Sequence, residues 1–262
     1  MSEPGEIETE LGVAIPGVIL PPEAWAKTAL KKLPAEGPLD FAALFGRDAP
    51  LVLDLGCGNG RFILAGALRH PEWNYLGLDI LPVVIRYATR RANQRGLHNV
   101  RLAVSGGHEF LDRFVPPRSV REIHVYHPQP YGDEQKKERR LLTPAFLALA
   151  HRCLEPTGRL FLQTDNPAYW QYVTSVIGQF FAFEEQREPW AEDPQGRTRR
   201  EIMARQMGLP IFRGVGQPRP ELDEAALATL VAQLPPPTFD ATEHKRKRPS
   251  RRRFDRRRKG RA

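Results

Sequence analysis

The stretch PLVLDLGCGNGRF, residues 50–62, constrains the fold more than any other part of the chain. PLVLDLG is a near-continuous apolar run, the pattern of a parallel strand covered on both faces. Gly56, Gly58 and Gly60 follow at once, and then Phe62, Leu64, Ala65 and Leu68 recur at helical spacing over 61–68. A strand turning through glycines straight into a helix opens a βαβ unit in which backbone must approach a ligand closely. The spacing is G-x-G-x-G, not the dinucleotide pattern G-x-G-x-x-G. Asp54 brings a carboxylate to the strand end, which suits a cationic or amine-bearing ligand better than a phosphate. Asp79 closes the next strand, 21 residues after Gly58, where an acid accepts two ribose hydroxyls.

The rest of the pattern extends this unit. Strands are expected over 73–80, 100–104, 121–126 and 158–165, alternating with helices over 82–95, 108–114, 141–154 and 168–180. Pro144 falls in a first helical turn, where its missing N–H is harmless. Such alternation predicts a doubly wound α/β fold with a mostly parallel, seven-stranded Rossmann-like sheet. Ligands then bind beyond the carboxyl ends of the strands, at the switch of strand order. That rule gathers Asp54 to Gly60, Asp79, Ser105 to Gly107, His127 to Tyr131 and Thr164 to Asn166 on one rim. REIMARQ, 200–206, reads as a final strand, 221–234 as a short amphipathic helix, and Pro22 to Leu33 as a short helix within a Pro- and Gly-punctuated arm. The expected division is an irregular N-terminal arm over 1–48, the main domain over 49–215, a short helix and linker over 216–243, and a basic disordered tail over 244–262.

Charge divides the chain in the same way. From His244 onward there are 12 Lys and Arg against the single acid Asp255, a net of +11. The preceding residues hold 27 Lys and Arg against 30 Asp and Glu, so a mildly acidic body carries a strongly basic tail. A like-charge block of this kind self-repels and reads as an interaction tail for a polyanion such as RNA; a solubility tail is the alternative. A hydrophobic fraction of 41% with 13 Phe supplies a real core. Cys57 and Cys153 are too few for a disulfide framework or a cysteine-based zinc site, and a reducing compartment fits best. No stretch approaches the roughly 18 apolar residues of a membrane span, and the acidic start is unlike a signal peptide. Cytoplasm is the expected location.

The motif D-x-G-x-G-x-G with its downstream acid resembles the class I methyltransferases that use S-adenosyl-L-methionine. That resemblance implies that Asp54 and the loop Gly56, Gly58, Asn59 and Gly60 hold the methionine end of the cofactor. Asp79 holds the ribose, with Ile80 beside it. A second motif, HPQPY at 127–131, ends the fourth strand with two prolines, which stop a ladder and stiffen the chain into a lip. With the basic stretch after it, it resembles the tRNA (guanine-N7)-methyltransferase family, whose fourth strand ends in Pro-Asp-Pro-Trp before paired arginines. Here the matching residues are Pro128, Gln129, Pro130 and Tyr131, with Arg139 and Arg140 as the pair. Thr164 and Asp165 match the family's Thr-Asp after the fifth strand, and Thr198, Arg199, Arg200 and Glu201 its Thr-Lys-Phe-Glu. The likeness covers about residues 45–205.

The departures cluster where chemistry would occur. Gln129 stands for the family's acid, Tyr131 for its tryptophan, Asp133 for a lysine, Gly106 for an acid near the adenine, and Arg200 for an aromatic. The resemblance implies Gln129 and Asp165 as catalytic residues, Gly106 as part of the cofactor site, and Pro128, Tyr131, Arg139, Arg140, Thr198, Arg199 and Glu201 as substrate contacts. No metal is implied.

Guanine N7 is a bare lone pair, so its methylation needs positioning and charge stabilisation rather than a general base. Replacing a carboxylate by an amide there costs on the order of 1.5 to 3 kcal/mol. His127 has two readings, a general base for a proton-bearing substrate or a half-buried histidine bonded to backbone. His108 is either an adenine contact or a surface turn residue. Lys136, Lys137, Arg139 and Arg140 are either a phosphate-binding face or a solvated one, and the EDPQGR stretch with Trp190 reads as a mobile loop over the site. A methyltransferase acting on another RNA, protein or small molecule, and an RNA-binding paralogue without turnover, are the alternatives to N7 transfer on tRNA.

Overall fold

A computed structural model describes residues 5–241; the basic tail expected over 244–262 lies outside the described residues. The chain begins with a two-residue hairpin, β1 (Thr9–Glu10) and β2 (Val13–Ala14), and a short helix α1 (Phe41–Phe45). There follow β3 (Leu51–Leu55), α2 (Arg61–Arg69), β4 (Asn74–Asp79), α3 (Pro82–Gln94), β5 (Val100–Val104), α4 (Gly107–Phe114) and β6 (Val120–Tyr126). Next come α5 (Pro144–Cys153), β7 (Leu154–Thr164), α6 (Pro167–Val176), β8 (Phe181–Glu185), α7 (Arg199–Gln206), β9 (Phe212–Pro218) and α8 (Glu224–Gln233). Short 3-10 segments at Pro22–Ala24, Glu134–Arg139 and Ile177–Gln179 are the remaining helical pieces among the described residues.

The main sheet has seven strands in the order β5-β4-β3-β6-β7-β9-β8. Pairings from β5 through β7 are parallel, while β9 runs antiparallel between β7 and β8. The expected doubly wound, mostly parallel sheet is therefore present, with its order reversing between β3 and β6. The two faces of β3 explain its unbroken apolar reading. Leu51, Leu53 and Leu55 point into the core formed with Phe110 and Phe114 of α4, Phe146 of α5, Val173 of α6 and Leu227 of α8. Val52 points the other way, toward Phe62, Ile63 and Leu64 of α2 and Ile85 and Ala88 of α3. Asp54 shares that second face at the strand's carboxyl end and is buried. A charge buried in a sheet this apolar calls for a partner that the fold itself must supply or admit.

Several expectations change. REIMARQ is not a strand but the body of α7. Thr198 Oγ1 accepts from Glu201 N–H at 3.1 Å and the Glu201 carboxylate turns back to accept from Arg197 N–H at 2.9 Å, a capping arrangement that starts a helix. The final strands are β8 and β9, and β9 runs across the boundary expected at 215. The helix expected over Pro22 to Leu33 shrinks to one turn. Beyond it the chain is extended along the edge of β5, where Leu102 N–H donates to Thr28 O at 2.9 Å and Leu30 N–H to Leu102 O at 2.8 Å. Edge pairing wins because so short a helix gains little on its own, whereas the open edge offers unpaired backbone groups.

The stretch around Trp190 is a packed strap. Trp190 is buried, the Arg197 guanidinium stacks on it at 4.5 Å, and Arg197 pairs with Asp193 at 3.1 Å and Glu192 at 2.9 Å. Arg69 of α2 also reaches Asp193 at 2.8 Å. Among the described residues no helix is long and apolar enough to cross a membrane, and no group of three or more His, Cys, Asp or Glu is arranged to hold a metal.

Candidate active site

The strand order reverses between β3 and β6, and there a cavity of about 530 Å³ opens beyond the carboxyl ends of the sheet. A larger hollow of about 630 Å³ lies at the opposite rim, among Asp40, Arg47, Asn74 and Ser119 at the strands' amino ends. Parallel sheets bind at their carboxyl ends, so the smaller cavity is the candidate. Its walls join Asp54, Gly56, Gly58 and Asn59 to Pro128, Gln129, Thr164, Asp165, Thr198 and Arg199. Ten residues from four separate stretches of the sequence thus meet around one space.

The cofactor half is built from backbone. Gly56, Gly58 and Gly60 have φ of 88°, 53° and 79°, the left-handed region in which a side chain is strained. Gly60 also caps α2 so close to α3 that a Cβ there would lie 3.0 Å from the Ala88 methyl. Asp79 braces the loop, its carboxylate accepting from Gly58 N–H at 3.1 Å and Leu81 N–H at 2.9 Å. Burial, reinforced by the nearby Asp79 charge, pushes the Asp54 carboxyl up to about 8. An ammonium group entering the cavity would relieve that cost, so the donor set fits the amine end of an amino-acid-bearing nucleoside. Ile80 is 59% exposed beyond Asp79, and Gly106 faces it as the N-cap of α4. His108, in the first turn of α4, is exposed.

The substrate half is built from side chains. The lip 127–131 is bracketed by two non-glycine residues in left-handed backbone, His127 at φ 53° and Tyr131 at φ 37°. Strain of about 1–3 kcal/mol per residue persists only where surrounding structure over-determines it. Here His127 N–H donates to Gln163 O at 2.7 Å and Arg140 grips the other end, its Nε donating to Pro130 O at 2.7 Å and Nη2 to Tyr131 O at 2.9 Å.

Of the two readings of His127 the half-buried one is the closer, since its N–H bonds to backbone, but its ring lies buried between two side chains. Gln163 Oε1 accepts from the Trp190 indole at 2.7 Å and from Arg213 Nε at 3.2 Å, both groups that can only donate. The Gln163 amide nitrogen therefore faces His127 Nε2 at 3.0 Å and donates to it, so Nδ1 carries the ring proton and donates to Asp165 Oδ1 at 3.1 Å. With both nitrogens engaged, His127 orients Asp165 and is not placed as a base. Arg200 pairs with the other Asp165 oxygen. Burial works against ionisation of Asp165 but is outweighed by the His127 bond and the Arg200 guanidinium, which hold the carboxyl well below the usual range.

Of the expected substrate contacts, Pro128, Thr198 and Arg199 line the cavity, while Tyr131 sits half-exposed at the end of the lip and Arg139 is exposed. Arg140 is buried, its donors directed at backbone carbonyls, so it is a clamp on the lip and not a phosphate contact. Glu201 is wholly buried and takes Arg205 and Arg213 as partners, so it braces α7 and does not reach the cavity. Lys136 is paired with Asp133 at 3.1 Å on an exposed turn. Asn166, on the rim expected from the strand ends, lines the cavity while capping α6. Residues not singled out earlier also matter, and Met203 and Ala241 form part of the wall. From the N-terminal hairpin, Glu10 accepts from Asn59 Nδ2 at 2.7 Å and pairs with Arg199 at 3.2 Å. No periodicity or motif marks Glu10, because its role depends on a fold of the arm that the sequence does not signal.

The strand order, the glycine loop and the buried Asp54 define a class I methyltransferase. Comparison with known proteins agrees. A family model described as "Putative methyltransferase" matches residues 48–213. The chain is 31% identical over 176 residues to the tRNA (guanine-N(7)-)-methyltransferase of Nitrosococcus oceani, covering 67% of this chain and 75% of that protein. It is 32% identical over 177 residues to the enzyme of the same name from Halorhodospira halophila, covering 68% and 77%. Among solved structures, the 16S rRNA methyltransferase KamB shares the fold at 15% identity with a TM-score of 0.53, covering 74% of this chain and 99% of that one. The chain belongs to the tRNA (guanine-N7)-methyltransferase family.

Proposed function

We propose that the protein is an S-adenosyl-L-methionine-dependent tRNA (guanine-N7)-methyltransferase. The observation that carries the reading is the pairing, around one cavity, of a buried carboxyl awaiting a cation with a stiff lip and an ionised Asp165. The cofactor, when bound, supplies an electrophilic methyl group on a sulfonium. Asp54 would take its ammonium group, the glycine loop would lie against its methionine end, and Asp79 would accept the ribose hydroxyls.

The other residues position the base. Guanine N7 has no proton to lose, which suits a site whose one histidine has both ring nitrogens engaged. Pro128 and Pro130 keep the lip from yielding, so a base docked on it stays within about 3 to 3.5 Å of the reacting carbon. Gln129 offers one carbonyl to guanine's N1–H or amino group. Asp165, already ionised, places negative potential where the ring gains positive charge. Thr198 and Arg199, at the start of α7, face the remaining substrate, and cations there suit a phosphate backbone. A cytoplasmic location and a polyanion-binding role for residues 244–262 belong to the same reading.

The test is methyl transfer from radiolabelled cofactor to unmodified tRNA, followed by chain cleavage at N7-methylguanine. The expected result is one labelled guanosine position. Label on another base, or on protein alone, overturns the reading.

A further inference from the structure

The two sides of α3 carry their charge differently. Arg91 and Arg95 are buried, and Glu8, just before β1, pairs with them at 2.6 Å and 3.4 Å. Arg86 and Arg90 are exposed, and so are Lys27, Lys31 and Lys32 on the extended arm that runs beside the helix. None of these five cations forms an ion pair with a described acid. The chain up to residue 243 holds 27 Lys and Arg against 30 Asp and Glu, so this face is a local concentration of positive charge and not the average of the surface.

A groove runs between the helix and the arm. The arm is pinned near the far end of α3, where Thr28 N–H and Oγ1 donate to Asn93 Oδ1 at 2.9 Å and 2.8 Å. From there it keeps to the edge of β5, Ala29 bridging Leu102 in parallel, and this register brings Lys31 level with Val104 at the strand's carboxyl end. α3 starts at that same rim, and a hollow of about 240 Å³ is left between the two. Leu30, Ile85 and Leu102 give it an apolar floor, Val104 is 45% exposed at its mouth, and Lys31 and Arg86 line its opposite sides. Ligand pockets commonly hold about 300 to 1,000 Å³, so this hollow is sized for one small planar group and not for a second cofactor.

Cations on either side of an apolar slot match one unit of a nucleic acid, a flat base with anionic phosphates beside it. The slot also belongs to the rim that carries the candidate site. Ser105 and Gly106 follow Val104 directly, and Ile80 and Leu81, both exposed, join Asp79 of the cofactor half to the start of α3. In the sheet order, β5 lies three places from β6, which carries the lip, with the cofactor strands β3 and β4 between.

We propose that this groove is a second RNA-binding site, taking one nucleotide remote from the target guanine, with its base against Leu30 and Val104 and its phosphates at Lys31 and Arg86. This rests on the RNA-methylating function proposed above and adds to it a contact on the far side of the cofactor from the lip. An RNA held at both places has its orientation fixed, and the second contact is intramolecular once the first is made.

Exposed residues supply the test. Lys31→Ala combined with Arg86→Ala removes the charges, whereas Ala29→Trp fills the groove and leaves them. Affinity for unmodified tRNA is read by fluorescence anisotropy across salt concentrations, with no turnover required. The double variant is expected to bind about 10-fold more weakly at 0.1 M salt, with a salt slope lower by roughly 1.5, two phosphates at about 0.7 to 0.9 each. Ala29→Trp should lose about 3- to 10-fold in affinity, the loss of a seated base, with the salt slope unchanged. Cofactor affinity in calorimetry should stay within about twofold for both, as for distant sites, which also reports that the fold is intact. A photoreactive group at position 32 should crosslink to one nucleotide, different from the one reached from position 129.

Parent-like affinity of the double variant would overturn the proposal and leave the groove to a protein partner. Parent-like affinity of Ala29→Trp beside a weakened double variant would also overturn it, since the face would then act only through its field. Crosslinks scattered over the tRNA, or no binding of tRNA by the parent, would do the same. Binding as expected without methyl transfer would count against the proposed function alone, and transfer with a groove that no variant disturbs would count against this site alone.

Discussion

The two halves of the cavity are constructed by different means. The cofactor half consists of residues 54–60 and Asp79, held by backbone conformation and by two N–H groups donating to one carboxylate. The substrate half is assembled from the lip, β7, the Trp190 strap, α7 and the C-terminal segment, held by side chains that cross between them. A backbone-built site tolerates substitution around it but not of its buried carboxyl. A site built from a side-chain network spreads its sensitivity over residues that never touch substrate.

The largest expected effect therefore falls on Asp54. Asp54→Asn should weaken cofactor binding by at least about 100-fold in calorimetry, the loss of a buried charge pair. The same substitution should stabilise the ligand-free protein. Asp54 titrates near 8 in the fold against about 3.8 in the unfolded chain, so the stability it contributes is complete below about pH 4 and is lost as pH rises through 8. The variant should melt higher than the parent at pH 8.5 and show no advantage at pH 4. Cofactor affinity of the parent should rise toward pH 8 and flatten in the variant. Equal melting temperatures at both pH values would mean that Asp54 is not held protonated.

In the substrate half, Asp165→Asn removes the carboxylate that His127 and Arg200 converge on. Methyl transfer to tRNA should fall by about 100-fold, a charged hydrogen bond's worth, while cofactor affinity stays within about twofold. A matching loss of cofactor affinity would place Asp165 in the other half. Gln129→Asp should act in the opposite direction. Restoring a carboxylate between Pro128 and Pro130 should raise transfer by about 10-fold or more; a loss would show that the amide serves a different reaction.

The halves also differ in how far they could be read from sequence, and for the same reason. Asp54, the glycines and Asp79 are close along the chain and are followed by apolar periodicity, so motif and context point to one answer. Strands β3 to β7 and helices α2 to α6 followed in turn, because their burial pattern is local. Arg140 and Glu201 carry the right residue types at the right places in a motif, yet both are turned inward. Which way a charged side chain points is decided by carbonyls and guanidinium groups from distant segments, and no local pattern contains them. α7 was misread because its periodicity is weak and its helix start depends on how Glu201 is used. The Trp190 strap, polar and Pro-containing, resembles a mobile loop until Arg69 and Gln163 are seen to hold it.

That strap supplies the smallest and most discriminating prediction. Trp190→Phe keeps most of the ring's packing but deletes the indole N–H that orients Gln163. With Arg213 still donating to Oε1 at 3.2 Å, the amide keeps its sense but loses its shorter bond. His127 then holds its tautomer less firmly, and Asp165 is less well aimed. The cost should be about 1 kcal/mol in stability, and kcat should fall by about threefold to tenfold with little change in the KM for cofactor. Gln163→Glu makes the complementary change, replacing the amide donor to His127 by an acceptor, so that the ring must become doubly protonated or turn away. Its kcat should fall further than that of Trp190→Phe, again with little change in the KM for cofactor. If both variants keep the parent's kcat, the chain from Trp190 to Asp165 carries packing alone, and the substrate half is as local in construction as the cofactor half.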